Sequence, residues 1–319
     1  MNALFNPSLV PHFDQSGVPA GGLRLILSLR AVGEGHVSSI TFRTGMITPD
    51  GAIALDPCGS NPVSAMAEPI PGSAAEAAGV RLSCHVDALA DVVLFPTRSE
   101  HRHGLEDLRL VAFTEDHGGS AFLGTLTGVG RETIRQELLR TSDFNSFDIV
   151  PIGGPFAATK GMALFPRRIG GRYAMLCRQD HEGLWLLASS DLYSWSDGAP
   201  ILAPTAPWEA VQLGNCGSPI ELDQGWLVLT HGVGPLRSYT IGASLLDRAD
   251  PSRVLARLPQ PLITSTAKTW SGYVPNTVYS CGGLVHAGSL YLPYGVADSF
   301  ASVARVPVAD LLAAMTSVP

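Results

Sequence analysis

Short apolar runs separated by turn residues dominate this chain. Leu23–Leu29, Val37–Phe42, Val92–Phe95, Leu108–Phe113 and Ala121–Thr127 are of strand length. So are Tyr173–Cys177, Leu184–Ala188, Trp226–Thr230, Tyr239–Leu245 and Ser289–Tyr294. Gly, Asp, Asn and Pro punctuate them, which predicts many short strands joined by tight turns. Helical periodicity is weak. Val308–Met315 predicts one C-terminal helix, and Ala74–Ala78 a further possible turn. Asp56–Gly79, rich in Pro, Ala, Ser and Gly, reads as a long loop or insertion.

A weak internal repeat organises the strands. Ser142-Asp143-Phe144-Asn145-Ser146-Phe147 resembles Ser190-Asp191-Leu192-Tyr193-Ser194-Trp195, about 48 residues later. That offset is close to one four-stranded propeller blade, each copy being an Asp-containing turn with an aromatic packed between blades. A chance match between two Ser/Asp-rich turns is the alternative.

The 319 residues suffice for one large domain or two ordinary ones, and no composition shift marks a boundary. The expectation is a single domain over residues 1–319. With 45% hydrophobic and 15% charged residues, a large core is expected and disorder is not. A net charge of −7 argues against nucleic acid as a partner, although an acidic protein can hold a local basic pocket. The cysteines Cys58, Cys84, Cys177, Cys216 and Cys281 are odd in number and show no zinc spacing, so reduced and mostly buried thiols are expected. The opening MNALFNPSLVPHFDQSG lacks a basic segment followed by an apolar one, and no 18-residue apolar run occurs. A cytoplasmic protein without a membrane partner is the expectation. Homo-oligomerisation stays open.

Gly214–Asp247 is the most informative stretch. It reads as a polar turn, an apolar strand stopping at His231, and a further strand from Tyr239. A lone His at a strand end is more often structural. Here Gly232, Gly234, Arg237 and Tyr239 follow it, and small residues beside cations and hydroxyls suit an anion or a sugar.

Several segments then resemble one family in order. Lys160-Gly161-Met162-Ala163-Leu164-Phe165-Pro166-Arg167 with Gly170–Leu176 is similar to a KxxxLFPR-x-I-x-GxYxML segment of glycoside hydrolase family 130. Gly225–Val233, Val274-Pro275-Asn276 with Cys281-Gly282, and Tyr294–Asp298 resemble its GWLVxxHGV, VPNxVxxCG and YGxAD segments. Glu106-Asp107-Leu108-Arg109 resembles its EDxR, and the N-terminal part fits less tightly. The resemblance implies an all-β, five-bladed β-propeller. It also implies inverting cleavage of β-mannosides or related β-glycosides. In the phosphorylases of the family, inorganic phosphate attacks the anomeric carbon, and sugar 1-phosphate leaves. No other cofactor and no metal is implied.

By the same resemblance Lys160, Arg167, His231 and Tyr239 are expected around phosphate or sugar, where Arg forks and a Lys point charge match phosphate oxygens. Asn6, Arg30, Glu34, His36, Ser39, Arg43, Asp107 and Asp298 are the expected sugar contacts. Solvated strand ends, structural hydrogen bonds and inter-blade ion pairs are the plainer alternatives for these residues. Trp208 either stacks on a sugar or plugs a blade. His101-Arg102-His103 reads as an exposed loop, with no third metal ligand apparent.

One departure stands out. The family's general acid is an Asp at the end of a second-blade strand, and alignment through Glu106–Arg109 puts Gly130 there. Glu132 is the nearest carboxylate and the substitute candidate, although it also reads as a surface residue on a turn. A carbohydrate-binding or regulatory propeller that has lost its acid is therefore the competing function.

Overall fold

The computed structural model describes residues 3–33, 35–59, 62–70, 79–157, 159–265 and 272–318. Its strands fall into consecutive antiparallel groups. The first holds Ala3–Pro11, Leu23–Val32, Ser38–Ile47 and Ile53–Leu55; the second holds Gly104–Thr114, Ser120–Val129, Ile134–Thr141 and Ser146–Pro151. The third comprises Ala163–Leu164, Tyr173–Cys177, Leu184–Ser189 and Asp197–Leu202. In the fourth, Gln212–Asn215 and Ile220–Leu222 share one edge of Gly225–Val233, followed by Tyr239–Leu246 and Val254–Arg257. In the fifth, Val278–Tyr279 and Leu284–His286 flank Ser289–Val296, which also pairs with Phe300–Pro307.

Neighbouring groups touch along their inner edges, and the ring they form closes. Leu110 N–H donates to Ser8 Oγ at 3.2 Å, and Thr125 Oγ1 donates to the Met162 carbonyl. Asn215 Nδ2 donates to the Gly161 carbonyl at 3.0 Å, and Gly217 lies against the Cys281 carbonyl. Cys281 N–H then reaches back to the Pro7 carbonyl at 2.8 Å and Leu9 N–H to that of Gly282 at 3.2 Å. Five blades around one axis satisfy these contacts, and the architecture is the expected five-bladed β-propeller.

The cores explain why the strands read as apolar runs. Each blade is buried on both faces. On Gly225–Val233, Trp226 and Val228 pack with Phe165, Leu176 and Leu184 of the preceding blade. Leu227 and Leu229 of the same strand pack with Leu290 and Leu292 of the following one. Alternate residues thus enter different cores, and both must be apolar. The last core joins Leu25 and Leu27 to Leu284 and Tyr291, closing the ring a second time.

The two similar turns occupy equivalent places, between third and fourth strands of successive blades. Asp143 Oδ1 accepts from Asn145 N–H and Ser146 N–H, and Asp191 Oδ1 accepts from Tyr193 N–H. Phe147 and Trp195 are fully buried between blades. The C-terminal helix spans Val308–Ala313, and its Leu311 joins the last-but-one core.

Two expectations need revision. Within Asp56–Gly79, Val63–Ser64 and Met66–Ile70 are strands, the latter pairing with Gly79–Ser83 to extend the second blade outward. Ala74–Ala78 lies outside the described residues. His101 is not exposed: it closes a short turn, is buried, and meets Glu137 Oε1 at 2.8 Å. Burial of Cys84, Cys177, Cys216 and Cys281 is as expected; Cys58 is exposed. No helix among the described residues is long and apolar enough to cross a membrane.

Candidate active site

Strand irregularities aim polar side chains at the propeller axis. In the first blade Asn6 and Pro7 bulge between the pairs Phe5–Arg30 and Ser8–Ser28. In the second, Asp107 and Leu108 bulge between Glu106–Thr127 and Arg109–Thr125. Asn6 and Asp107 take the left-handed φ of 49° and 55°, rare for residues with a Cβ and common where a site holds strain. The two bulges face each other, and Asn6 Nδ2 donates to Asp107 Oδ1 at 2.8 Å.

These residues open onto an axial cavity of about 240 Å³. One wall carries carboxylates. Glu106 accepts from Arg30 Nη2 at 2.7 Å and from Lys160 Nζ at 2.9 Å. Asp107 lies 3.6 Å from Arg30 Nη1. Burial raises the pKa of Asp107, but Arg30, the Asn6 amide, Arg109 and Lys160 outweigh it and leave the group below its usual value. Asp298 is the third carboxylate of the cavity. Its carboxyl is pushed up to about 6 by burial and by the nearby Asp107 and Glu106, against the pull of Arg30.

The other wall carries cations and rings. Arg109 is buried and donates through Nη2 to Tyr279 Oη at 2.6 Å. Among the described residues, its Nη1, the Nε of Arg178 and Nδ1 of His231 have no hydrogen-bond partner. The His231 ring lies 5.0 Å from that of Tyr279 and 6.1 Å from that of Tyr239. Burial, then Arg178 and Arg109, hold the His231 pKa well below its ordinary value, so its imidazole is neutral at pH 7. Four cations (Arg30, Arg109, Lys160, Arg178) and three carboxylates thus line one cavity of an acidic chain.

Glycines let this wall close up. A Cβ on Gly214 would lie 2.3 Å from Arg178 Cδ and 2.6 Å from His231 Cε1. Gly161, at φ 92°, has Arg109 Nη1 3.1 Å from where its Cβ would be. Trp208 is packed on the backbone of Gly232 and Gly242, so it plugs a blade and is not among the cavity-lining side chains.

The structure therefore gathers Asn6, Arg30, Asp107, Lys160, His231, Tyr239 and Asp298, all expected from the sequence, into one cavity. It places others elsewhere. Arg167 forms a two-pronged pair with Glu221 at 2.9 and 2.6 Å and stacks 4.9 Å over Trp226, away from the cavity. Ser39 and Arg43 line a separate cavity, where Ser39 Oγ donates to Ala31 O and Arg43 to the Phe42 carbonyl. His36 lines an adjoining cavity with Tyr273. Glu34 lies outside the described residues. Glu132 is exposed on the turn after Ser120–Val129 and does not line the cavity. Neither does Gly130, whose Cβ would meet Thr133 Oγ1 at 2.8 Å and the Glu100 carbonyl at 3.0 Å. The cavity positions on that hairpin are Thr125, Thr127 and Gln136.

Arg178 and Tyr279 are cavity residues that sequence reasoning passed over. Arg178 directly follows the strand Tyr173–Cys177 in an Arg-Gln-Asp turn, a strand-end signal like that of His231.

The family model described as β-1,4-mannooligosaccharide phosphorylase matches residues 73–317. The chain belongs to glycoside hydrolase family 130. A 1,2-β-oligomannan phosphorylase of Thermoanaerobacter sp. (strain X514) is 39% identical over 155 residues, 48% of this chain and 52% of that protein. A β-1,2-mannobiose phosphorylase of Listeria innocua is 28% identical over 227 residues, 69% of this chain and 62% of that protein. The chain thus matches about half to three-fifths of the length of these relatives. The solved β-1,2-mannobiose phosphorylase of Listeria innocua, in complex with β-1,2-mannobiose, superposes with a TM-score of 0.71 at 20% identity. That superposition covers 98% of this chain and 91% of the other. It is a likeness of fold.

Proposed function

We propose that this protein is an inverting β-mannoside phosphorylase, with inorganic phosphate as co-substrate and no further cofactor. The observation that carries the reading is the mixed cationic and anionic lining of the axial cavity in a family 130 chain. Arg109 Nη1 and Arg178 Nε, without hydrogen-bond partners among the described residues, line the same cavity of about 240 Å³ as Glu106, Asp107 and Asp298. A phosphate on the cationic side would complete the hydrogen bonds that these buried donors lack, removing a cost of about 1–3 kcal/mol for each unsatisfied group. The mannosyl ring then lies between phosphate and the carboxylates, with Asn6 and Asp107 offering acceptors to its hydroxyls. A phosphate oxygen attacks the anomeric carbon from one face while the leaving oxygen departs from the other, which inverts the centre. His231, neutral, serves as a hydrogen-bonding partner rather than a charge.

Relatives named as phosphorylases of β-1,2-linked mannosides and a mannooligosaccharide family support the substrate class. In this reading residues 1–319 work as one propeller, in the cytoplasm. The test is incubation with β-1,2- and β-1,4-mannobiose, with and without phosphate. Mannose 1-phosphate should form, and only with phosphate. Equal release of free mannose without phosphate would instead make the protein a hydrolase. Gly130 at the usual acid position favours one second reading, a carbohydrate-binding propeller, for which mannosides bind and no bond is cut.

A further inference from the structure

Beside the axial cavity lies a second one of about 270 Å³, lined by Phe5, His36 and Tyr273 among others. Arg30 and Asp298 are the residues common to both linings. A cleaved glycoside has its reacting sugar on one side of the scissile oxygen and its leaving group on the other. A proton donor must stand where the two meet. Asp298 stands at that junction.

The backbone around Asp298 is built to hold it there. Strands Ser289–Val296 and Phe300–Pro307 are joined by a turn in which Ser299 N–H donates to the Val296 carbonyl at 3.0 Å. Both central residues, Ala297 and Asp298, have positive φ, 49° and 50°. A hairpin turn of this kind favours Asn-Gly, and a non-glycine pair in it is strained. Ala297 N–H is anchored on the Thr277 carbonyl at 2.8 Å. The wall of the second cavity is tied to the same turn. Val274 N–H donates to the Ala297 carbonyl at 3.1 Å, and Tyr273 N–H to Ser299 Oγ at 3.2 Å. Tyr273 is 70% exposed, with its ring stacked 5.9 Å from that of His36. Such a pair offers an aromatic platform on which the apolar face of a sugar packs.

We propose that Asp298 is the general acid of this chain, protonating the departing oxygen, and that the His36–Tyr273 cavity receives the leaving sugar. The proposal rests on the phosphorylase reading above. Glu106 and Asp107 are already committed to Arg30, Lys160 and the Asn6 amide. Asp298 has no hydrogen bond or ion pair through its carboxyl among the described residues. Its carboxyl, raised to about 6, keeps a proton nearer neutrality than an ordinary Asp, as a carboxylic general acid must. In the step, a phosphate oxygen forms a bond to the anomeric carbon and the bond from that carbon to the leaving oxygen breaks. The leaving oxygen takes the Asp298 proton. Mannose 1-phosphate and a sugar with a free hydroxyl result, and Asp298, now a carboxylate, regains its proton from water. The family's missing Asp is thereby replaced from the fifth blade, not from Glu132.

The full-length protein and its Asp298→Asn variant are compared on β-1,2-mannobiose and on p-nitrophenyl β-mannoside, each with phosphate, across about pH 5 to 9. The nitrophenolate leaves without a proton. The variant should lose on the order of 10²–10⁴-fold in kcat/KM on mannobiose but stay within about tenfold on the nitrophenyl donor. The wild-type fall in rate above pH about 6 should vanish in the variant. Tyr273→Ala should raise KM for mannobiose and leave KM for phosphate unchanged. An equal loss on both donors with the alkaline fall intact would make Asp298 only a sugar ligand and overturn the assignment, leaving phosphorolysis standing. If the Asn variant does not fold, Asp298→Glu decides. An alkaline fall displaced in pH supports the assignment, and an unmoved one overturns it. No sugar 1-phosphate from wild-type protein on either donor overturns this proposal and the phosphorylase reading together.

Discussion

Arg178 is the side chain whose removal separates phosphate binding from stability most cleanly. Its Nε is buried without a partner, and it makes no ion pair among the described residues. Replacing it by Gln therefore breaks no side-chain hydrogen bond or ion pair among the described residues. In the phosphate complex the loss is a charge-assisted hydrogen bond, about 1.5–3 kcal/mol, or about 10- to 150-fold in affinity. Arg178 also disfavours the proton of His231. Its loss should let that imidazole's pKa rise toward the ordinary value. Initial rates at varied phosphate and saturating mannobiose measure the first effect, and thermal melts with and without phosphate provide the stability control. KM for phosphate should rise by the stated factor while Tm without phosphate changes little. Phosphate stabilisation of the fold should shrink. An unchanged KM for phosphate beside a raised KM for mannobiose would put Arg178 on the sugar and refute the cationic wall as a phosphate site.

Other outcomes follow from placements that the sequence did not anticipate. Gly130→Asp should yield no gain in cleavage rate and should lower Tm, because a Cβ there would lie 2.8 Å from Thr133 Oγ1 and the position does not line the cavity; Glu132→Gln, on the exposed turn, should leave kcat within about twofold. Arg167→Ala should not change KM for phosphate. It should cost about 1 kcal/mol in denaturant unfolding, since the pair with Glu221 is half-exposed and the stacking on Trp226 is lost with it. Asp298→Asn should raise Tm at pH 8. With a folded pKa of about 6 against 3.8, the native state holds the extra proton between these values, so wild-type stability falls as pH rises through that window. The variant escapes that loss, which is at most about 3 kcal/mol, and its advantage should disappear by about pH 4. A variant no more stable than wild type at pH 8 would mean that the carboxyl is not perturbed.

Much of the architecture was legible in one dimension. Strand-length apolar runs with Gly, Asp and Pro between them predict strands because turn chemistry and β-propensity act locally. The Asp143 and Asp191 turns repeat because the second and third blades join their third and fourth strands the same way. Cavity residues such as Asn6, Asp107 and Asp298 could be found through their motifs, yet the motif alone did not say that their backbones are left-handed. Arg167 and Lys160 show the limit. Seven positions apart and both basic, they read alike in sequence. Only the fold brings Glu221 and Trp226 to Arg167 and so removes it from the axis, while Lys160 meets Glu106 within it. Arg178, a plain strand-end cation, joins His231 only because Gly214 of the next blade leaves room.

What the sequence by itself determined is the blade repeat, the family and most of the residues that converge. What the tertiary structure decided is direction. Bulges at Asn6 and Asp107, the Ala297–Asp298 turn and packing between blades select which of two strand faces each side chain takes. A one-residue slip in a strand reverses that face, and no local pattern records the slip when both faces are buried in apolar cores.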